Sequence, residues 1–149
     1  MLTNATWLRT ITDMEYVLRK YQANSLRLTK LREALAGIFC QAEKPLTVPE
    51  ILSELKKYTL EPNKTTVYRE FEILLKNKIL KEVYFNDDKK RYEIIHEHHH
   101  HLVCKKCAKV IKIDCDQSFE LQVERQAKKS NFVLENSSME FFGKCSKCN

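Results

Sequence analysis

Four cysteines in two pairs carry the clearest chemical signal in this sequence. Two residues separate the cysteines of each pair, so both sulfurs can reach one metal ion from a tight turn; the pairs are Cys104 with Cys107 and Cys145 with Cys148. Together they supply the four thiolates of a closed tetrahedral zinc site. The alternative is two redox dithiols, but a redox pair usually opens a helix. The first pair runs into a β-branched segment and the second follows Gly143, which favours structural zinc.

A run of four histidines, His98–His101, precedes the first cysteine pair. Neutral imidazole is a ligand for exchangeable Zn, Fe, Ni or Cu. In an extended segment the side chains alternate, so His99 and His101 share one face while His98 and His100 share the other. The run can therefore serve two metal sites, and the nearby residues that could complete them are His96, Glu93, Glu97 and Glu120. The alternative is a set of solvated surface histidines.

Bulk composition sets broad limits on the fold and its partners. The chain has 149 residues, 43% of them hydrophobic and 31% charged, which allows one domain or two small ones. Small domains gain stability from a structural metal or a dimer interface. The sequence lacks an apolar run of membrane-spanning length and the order of a signal peptide, so we expect no membrane partner and a cytoplasmic location. The net charge of +6 is compatible with nucleic acid but too mild to indicate it alone.

The order of predicted elements changes near residue 79. Apolar residues at helical spacing predict four helices before that point, the first capped by Thr6 and the third by a capping box that begins at Thr47. Segments 79–85 and 91–95 then alternate around a polar turn, which predicts a β-hairpin. Short helices followed by a hairpin are the order of a winged helix-turn-helix.

The remaining residues predict a second, smaller unit. They read as a His/Cys strand, a strand at 110–113, a helix near 117–130, and strands around 132–135 and 138–142. We therefore predict an α+β chain, with a winged-helix DNA-binding domain over residues 1–95 and a metal-binding α/β dimerisation domain over residues 96–149.

The start of the fourth predicted helix is the candidate DNA reader. Hydroxyls and arginine can contact phosphates or base edges when the first turn of such a helix enters the major groove. The candidates are Thr65, Thr66, Tyr68 and Arg69. Further backbone contacts are available from Arg27, Lys30 and Arg32. An ordinary amphipathic helix start is the alternative interpretation.

Taken together, these motifs resemble the ferric uptake regulator family of metal-dependent repressors. The resemblance runs from Arg27-Leu28-Thr29-Lys30 through Thr66-Val67-Tyr68-Arg69 to the histidine run and both cysteine pairs. It implies a homodimer with N-terminal winged helices and a C-terminal dimerisation domain. Metal binding at the hinge would favour a closed arrangement that fits double-stranded DNA at an A·T-rich, two-fold operator.

The resemblance also implies roles for the metal ligands. Glu93, His99 and His101 match the hinge regulatory site for Zn²⁺ or Fe²⁺. His98 and Glu120 match a second site, in which His100 stands where many members have aspartate. The four paired cysteines match the structural zinc site.

Two departures from the family pattern bear on the sensed metal. Many members supply a histidine where this chain has Pro45-Leu46, so the hinge site needs another ligand, for which His96 is the candidate. Many also carry histidine where Lys144 stands. The histidine-rich strand favours zinc sensing slightly over iron sensing, and Glu120 makes peroxide sensing the last choice.

The leading hypothesis is a metal-responsive transcriptional repressor that is not an enzyme. The alternative is a metal storage or delivery protein, in which the histidine run is a buffer. A zinc hydrolase is a third interpretation, but the sequence offers no dedicated acid–base partner, so we predict no catalytic residues.

Overall fold

A computed structural model describes residues 4–95, 99–114, 117–134 and 139–149, with the backbone alone at residues 4–11 and 117. The chain divides into two compact units, Met1–His96 (unit 1) and Glu97–Asn149 (unit 2). None of the helices in the described ranges combines the length and apolar character that crossing a membrane requires.

Unit 1, over residues 4–95, consists of four helices and a small antiparallel sheet. Its strands are ordered β1-β3-β2, with Leu80 opposite Ile94 and Tyr84 opposite Lys90 in the hairpin. The elements in chain order are α1 (Asn4–Ala23), α2 (Lys30–Gln41), β1 (Leu46–Thr47), α3 (Val48–Lys57), α4 (Lys64–Lys76), β2 (Leu80–Tyr84) and β3 (Lys90–Ile94).

Side-chain caps fix where three of these helices begin. The Thr29 side chain accepts a hydrogen bond from the backbone N–H of Arg32 at the start of α2. Thr47 and Glu50 form the predicted capping box of α3, and Asn63 caps α4. Each cap satisfies backbone donors that a helix start leaves without partners. The predicted Thr6 cap is wrong, because α1 already begins at Asn4.

The apolar faces of the helices meet in one core. Side chains from α2, α3 and α4 are almost completely shielded from solvent, among them Leu35, Ile51, Leu55, Val67 and Phe71. The ring of Phe71 also packs on Tyr92 of β3, with centroids 4.5 Å apart. This packing joins the hairpin to α4 and fixes which face of α4 remains outside.

Over its described residues, unit 2 is a three-stranded sheet with one helix. Its elements are β4 (His99–Cys104), β5 (Val110–Asp114), α5 (Gln117–Lys129) and β6 (Glu140–Gly143). Strand β4 lies in the middle, antiparallel to β5 and parallel to β6.

The predicted strand around 132–135 is not a strand over its described residues 132–134. Helix α5 is followed by Asn131 in the left-handed region (φ 52°), and the backbone N–H of Phe132 donates to the Ala127 carbonyl. This hydrogen bond closes the helix end and turns the chain. The apolar residues that suggested a strand are exposed instead.

Candidate metal centres and DNA-reading helix

The topology of unit 2 explains why the two cysteine pairs meet. Strand β4 ends at Cys104, and its parallel neighbour β6 ends at Gly143, which lies opposite Cys104 in the register. The carboxyl ends of parallel strands lie at the same edge of a sheet, so the turns that follow them are neighbours. The backbone N–H of Lys105 donates to the Gly143 carbonyl at 2.9 Å and holds the two turns together.

The four sulfurs lie in an arrangement that fits a zinc ion. Those of Cys104, Cys107, Cys145 and Cys148 all lie within 4.8 Å of one another. The Cys107 and Cys145 sulfurs are 3.6 Å apart. Tetrahedral zinc with Zn–S bonds of about 2.3 Å requires sulfurs separated by roughly 3.8 Å. The donor set and its spacing therefore match a closed structural zinc site.

Backbone hydrogen bonds prepare this cluster for a cation. The backbone N–H groups of Cys107 and Cys145 donate to the Cys104 sulfur, the second at 3.3 Å, and they lower the pKa of Cys104 to about 6. Side-chain hydrogen bonds with Cys107 and Cys145 raise the pKa of Cys148, because they favour its protonated form. Cys104 is thus favoured as a thiolate, whereas Cys148 retains its proton. Binding of zinc would release that proton, because zinc binds the thiolate form of cysteine.

Strand β4 presents two histidines on one face. His99 and His101 are buried, with 7% and 2% of their surface exposed, while His100 between them is half-buried. Their rings meet edge to face, with centroids 5.0 Å apart. A metal bonded to a ring nitrogen at about 2.1 Å lies about 3.2 Å from the ring centre, so two imidazoles on one tetrahedral ion have centres roughly 5 Å apart. The pair fits two ligands of one metal.

The other predicted regulatory ligands that the structure describes lie on three different elements, β3, β4 and α5. Glu93 lies on β3 of unit 1, where its carboxylate pairs with Lys81. His100 packs edge-on against the Phe141 ring of β6, and Glu120 lies half-buried on α5. Over the described ranges, neither His100 nor Glu120 belongs to a cluster of three or more metal-ligand side chains. His96, Glu97 and His98 lie outside the described residues.

Helix α4 exposes all four of the predicted DNA-reading residues. Val67 and Phe71 face the core, which leaves Thr65, Tyr68 and Arg69 exposed on the opposite side. The Thr66 hydroxyl, also exposed, donates to the side chain of the cap residue Asn63 at 2.9 Å. Arg27 and Lys30, before and at the start of α2, are exposed as well.

Arg32 differs from the other predicted DNA contacts. Its guanidinium forms an ion pair with Glu70 of α4, and both side chains are largely buried, at 11% and 13% exposure. The same guanidinium donates to the Arg27 carbonyl at 2.8 Å. The charge of Arg32 is therefore already neutralised inside unit 1, where it links α2 to α4.

Most of the chain matches the model of one known protein family. The model of the ferric uptake regulator family matches residues 23–142, which include α4, the hairpin, the histidine run and the first cysteine pair, Cys104 and Cys107. It covers most of the chain. The chain belongs to the ferric uptake regulator family.

Full-length relatives and solved structures agree with the family match. The chain is 29% identical to the ferric uptake regulation protein of Bacillus subtilis, over 91% of this chain and 94% of the relative. It resembles the structure of the Helicobacter pylori ferric uptake regulator Fur, with a TM-score of 0.68, 25% identity and 93% of each chain covered. It is also similar to the Campylobacter jejuni peroxide stress regulator, with a TM-score of 0.69, 26% identity, and 88% and 98% covered.

These likenesses confirm the predicted fold class and the prediction of a metal-responsive transcriptional repressor. As a ferric uptake regulator family member, the protein is a metal-responsive DNA-binding transcriptional regulator. Members of this family are transcription regulators that act as dimeric DNA-binding repressors. Metal responsiveness thereby outweighs the storage or delivery alternative.

Sequence reasoning missed Lys81, the partner of Glu93. The two residues lie directly opposite each other in the β2–β3 register, and Lys81 Nζ is 3.0 Å from Glu93 Oε1. The available signal was the hairpin itself, because once its turn is placed, every residue of β2 has a fixed partner on β3. Counting outward from the turn would have matched Lys81 with Glu93.

Proposed function

We propose that this family member represses transcription when Zn²⁺ or Fe²⁺ binds Glu93, His99 and His101, with His96 as a further ligand. The observation that carries this proposal is the buried, edge-to-face imidazole pair of His99 and His101 on β4. Burial of both rings argues against a pair of solvated surface histidines, and imidazole is a ligand that suits both zinc and iron. Structural zinc on the four paired cysteines remains in place throughout.

The ligand set couples metal occupancy to the arrangement of the two units. Glu93 belongs to unit 1, whereas His99 and His101 belong to unit 2. A metal that needs all three ligands binds better in an arrangement that brings them together. Moving a dimer from about 1% to about 99% of the binding-competent arrangement requires a preference of roughly 5.5 kcal/mol.

DNA binding is assigned to unit 1 and dimerisation to unit 2. We propose that a homodimer presents two copies of α4 to a two-fold, A·T-rich operator, with residues 1–95 as the DNA-binding domain and 96–149 as the metal-binding dimerisation domain. Thr65, Tyr68 and Arg69 face the groove, Thr66 supports the helix start, and Arg27 and Lys30 contact phosphates. Arg32 holds α4 in place through Glu70. Four reduced cysteines at one metal site suit the cytoplasm.

A second site is proposed on His100, which lies on the other face of β4, on Glu120 of α5 and on His98. The half-buried positions of His100 and Glu120 leave both accessible to a metal. This site is expected to tune the response, since the buried pair lies on the opposite face of the strand.

The decisive experiment removes the buried imidazole pair. The His99→Ala, His101→Ala double variant is expected to lose metal-dependent binding to an A·T-rich palindrome while it keeps one zinc per chain on the cysteines. His96→Ala is expected to weaken the metal response. His100→Ala, on the same strand but the other face, is the matched control and should still respond at saturating metal. A wild-type metal titration in the double variant would rule out this site as the sensor.

The DNA-reading role of α4 has its own test. Tyr68→Ala or Arg69→Ala should weaken operator binding while zinc content and dimerisation stay unchanged. If Arg69 contacts phosphate, its loss reduces the salt slope by about one and affects all sequences alike; if it reads a base, the loss is about 1–3 kcal/mol at one position. Lys128→Ala removes an exposed cation from unit 2 and is the control. Unchanged binding in both α4 variants would refute the assignment.

A further inference from the structure

The β2–β3 hairpin carries a secluded ion pair at the proposed sensing ligand. Lys81 and Glu93 are 3.0 Å apart, and only 19% and 12% of their side chains are exposed. The neighbouring pair on the same strands, Lys90 with Glu82, is more open, at 48% and 28%. Lys81 with Glu93 is therefore the pair in which charge neutralisation matters more, because screening by water is weaker there.

A cation at this position acts directly on metal binding. A carboxylate oxygen that faces an ammonium group must exchange that partner for the metal, and the ammonium remains close by. A divalent ion next to Glu93 would also be repelled by the charge of Lys81. Both effects weaken the metal site, and both disappear when the charge of Lys81 is removed.

We infer that Lys81 is a built-in competitor of the regulatory metal: it holds the Glu93 carboxylate in the metal-free protein and sets the metal concentration at which the repressor switches. This inference rests on the proposed function, in which Glu93 is a ligand. Lys81 is thus a positioning residue that acts on the metal site through Glu93 and is not itself a ligand. Its ion pair with Glu93 prevents the metal from occupying the sensing site when the free metal concentration is low.

The alternative is an ion pair that only stabilises the hairpin. The two roles predict opposite signs. Loss of a purely structural pair lowers stability and loosens the site, so metal binding weakens or stays the same. Loss of a competitor frees the carboxylate, so metal binding becomes tighter although the metal-free protein becomes less stable.

The experiment measures Zn²⁺ affinity in competition with a chromophoric chelator, using the full-length protein with its cysteine-bound zinc in place. Lys81→Met, which keeps an unbranched side chain of similar length, is expected to bind exchangeable Zn²⁺ about tenfold more tightly; this exceeds the few-fold effect of an exposed pair because water screens Lys81 and Glu93 less. The midpoint of Zn²⁺-dependent DNA binding should shift to lower Zn²⁺ by the same factor. Lys81→Arg, which retains the charge, and Lys90→Met, which breaks the more open pair, should stay within about twofold of wild type.

Lys81→Gln serves if Lys81→Met does not fold, because its amide can still donate to Glu93 without a charge, and it should also tighten binding. Unchanged or weaker Zn²⁺ binding in the folded neutral variant overturns the inference. Glu93→Gln separates this failure from a failure of the proposed function. If Glu93→Gln weakens Zn²⁺ binding while the neutral Lys81 variant does not tighten it, only the competitor role is lost. If Glu93→Gln changes nothing, the proposed sensing site is wrong and the competitor role falls with it.

Discussion

The two units of this protein bury their apolar side chains to very different extents. Unit 1 encloses a continuous core, and only four of its large apolar residues are among the exposed ones within the described ranges. Unit 2 exposes ten, although it is the smaller unit, and Val103 and Cys104 are its buried apolar residues in the same ranges. Unit 1 is therefore built to be stable by itself, whereas unit 2 depends on other sources of stability.

Two such sources follow from the structure of unit 2. The cysteine cluster ties both cysteine turns to one point, and a structural zinc there contributes folding free energy directly. The exposed apolar side chains fit the proposed contact with a second copy of the chain, because a monomer rarely leaves so much apolar surface in water. The metal and the partner thus supply stability that the larger buried core supplies in unit 1.

The largest expected effect comes from removing one zinc ligand. Cys104→Ser or Cys148→Ser should abolish cysteine-bound zinc, unfold unit 2 and dissociate the dimer, since the lost metal-binding free energy, on the order of 10 kcal/mol, is as large as the stability of a small domain. Unit 1 should still melt cooperatively. The measurements are zinc content, sedimentation and thermal unfolding.

Cys40→Ala is the matched control in unit 1. Burial raises the pKa of Cys40 to about 12, so its sulfur stays protonated in the core. This variant should keep its zinc and its dimer. A Cys104→Ser protein that remained a fully zinc-loaded dimer would refute the contrast between the units.

The second effect concerns the exposed apolar surface of unit 2. Val133 is 80% exposed, so Val133→Glu should leave the folded chain intact but weaken the dimer by about 2 kcal/mol, or roughly 30-fold in its dissociation constant. Leu28→Glu changes a comparably apolar residue in unit 1, which is 49% exposed, and should not affect dimerisation. Sedimentation equilibrium distinguishes the two variants, and equal dimer strength in both would contradict a dimer interface at Val133.

A smaller effect should distinguish unit 1 by its response to acid. Burial alone would raise the pKa of Glu50, but hydrogen bonds from Lys44 and from the backbone and hydroxyl of Thr47 outweigh it and lower the pKa to about 2. The folded pKa lies below the ordinary value of 4.5, so the stabilisation is present above about pH 4.5 and is lost as the pH falls towards 2. Because Glu50 is 39% exposed, we expect about 1 kcal/mol, the usual contribution of a cap.

Glu50→Gln tests this linkage. The variant should be less stable than wild type at neutral pH, and the difference should shrink in acid in the unfolding transition of unit 1 alone. A difference that stayed constant between pH 6 and pH 2.5 would show that the Glu50 charge does not stabilise the helix start.

The smallest effect concerns the turn between the first cysteine pair and β5. Ala108 has a φ of 57°, in the left-handed region that disfavours a side chain. Ala108→Gly should therefore stabilise unit 2 by about 1 kcal/mol. Ala127→Gly, inside α5, should destabilise the same unit by a similar amount. Chemical denaturation of the zinc-loaded protein measures both, and equal signs would refute the strain at Ala108.

Local signals in the sequence predicted those parts of the structure that depend on few residues. The capping box at Thr47 and the turn formed by each cysteine pair depend only on residues that are close together in the sequence. Features decided by distant residues were missed. Strand β1 has only two residues, and its pairing with β3 depends on where α3 places it. The ion pair of Arg32 with Glu70 was missed because Glu70 is distant in the chain and leaves no local pattern in the sequence. Arg32 was therefore predicted as a phosphate contact.

Apolar composition misled the prediction for residues 132–134 for a related reason. Aromatic and β-branched residues favour a half-buried pleated surface, but they do not say whether the covering surface belongs to the same chain. Here the segment follows Asn131, whose backbone lies in the left-handed region, and it remains exposed. The apolar residues indicated that this segment contacts another apolar surface, but they did not show that it forms a strand.

The parallel pairing of β4 with β6 has a consequence for the speed of folding. The β4–β5 hairpin is local and can form within microseconds, which places Cys104 and Cys107 in their turn early. Cys145 lies 41 residues from Cys104, and closing so long a loop costs about 3 kcal/mol of chain entropy before any contact compensates for it. Refolding of unit 2 should therefore be slow without metal and faster as free zinc rises, since an ion held by the first turn can capture the second.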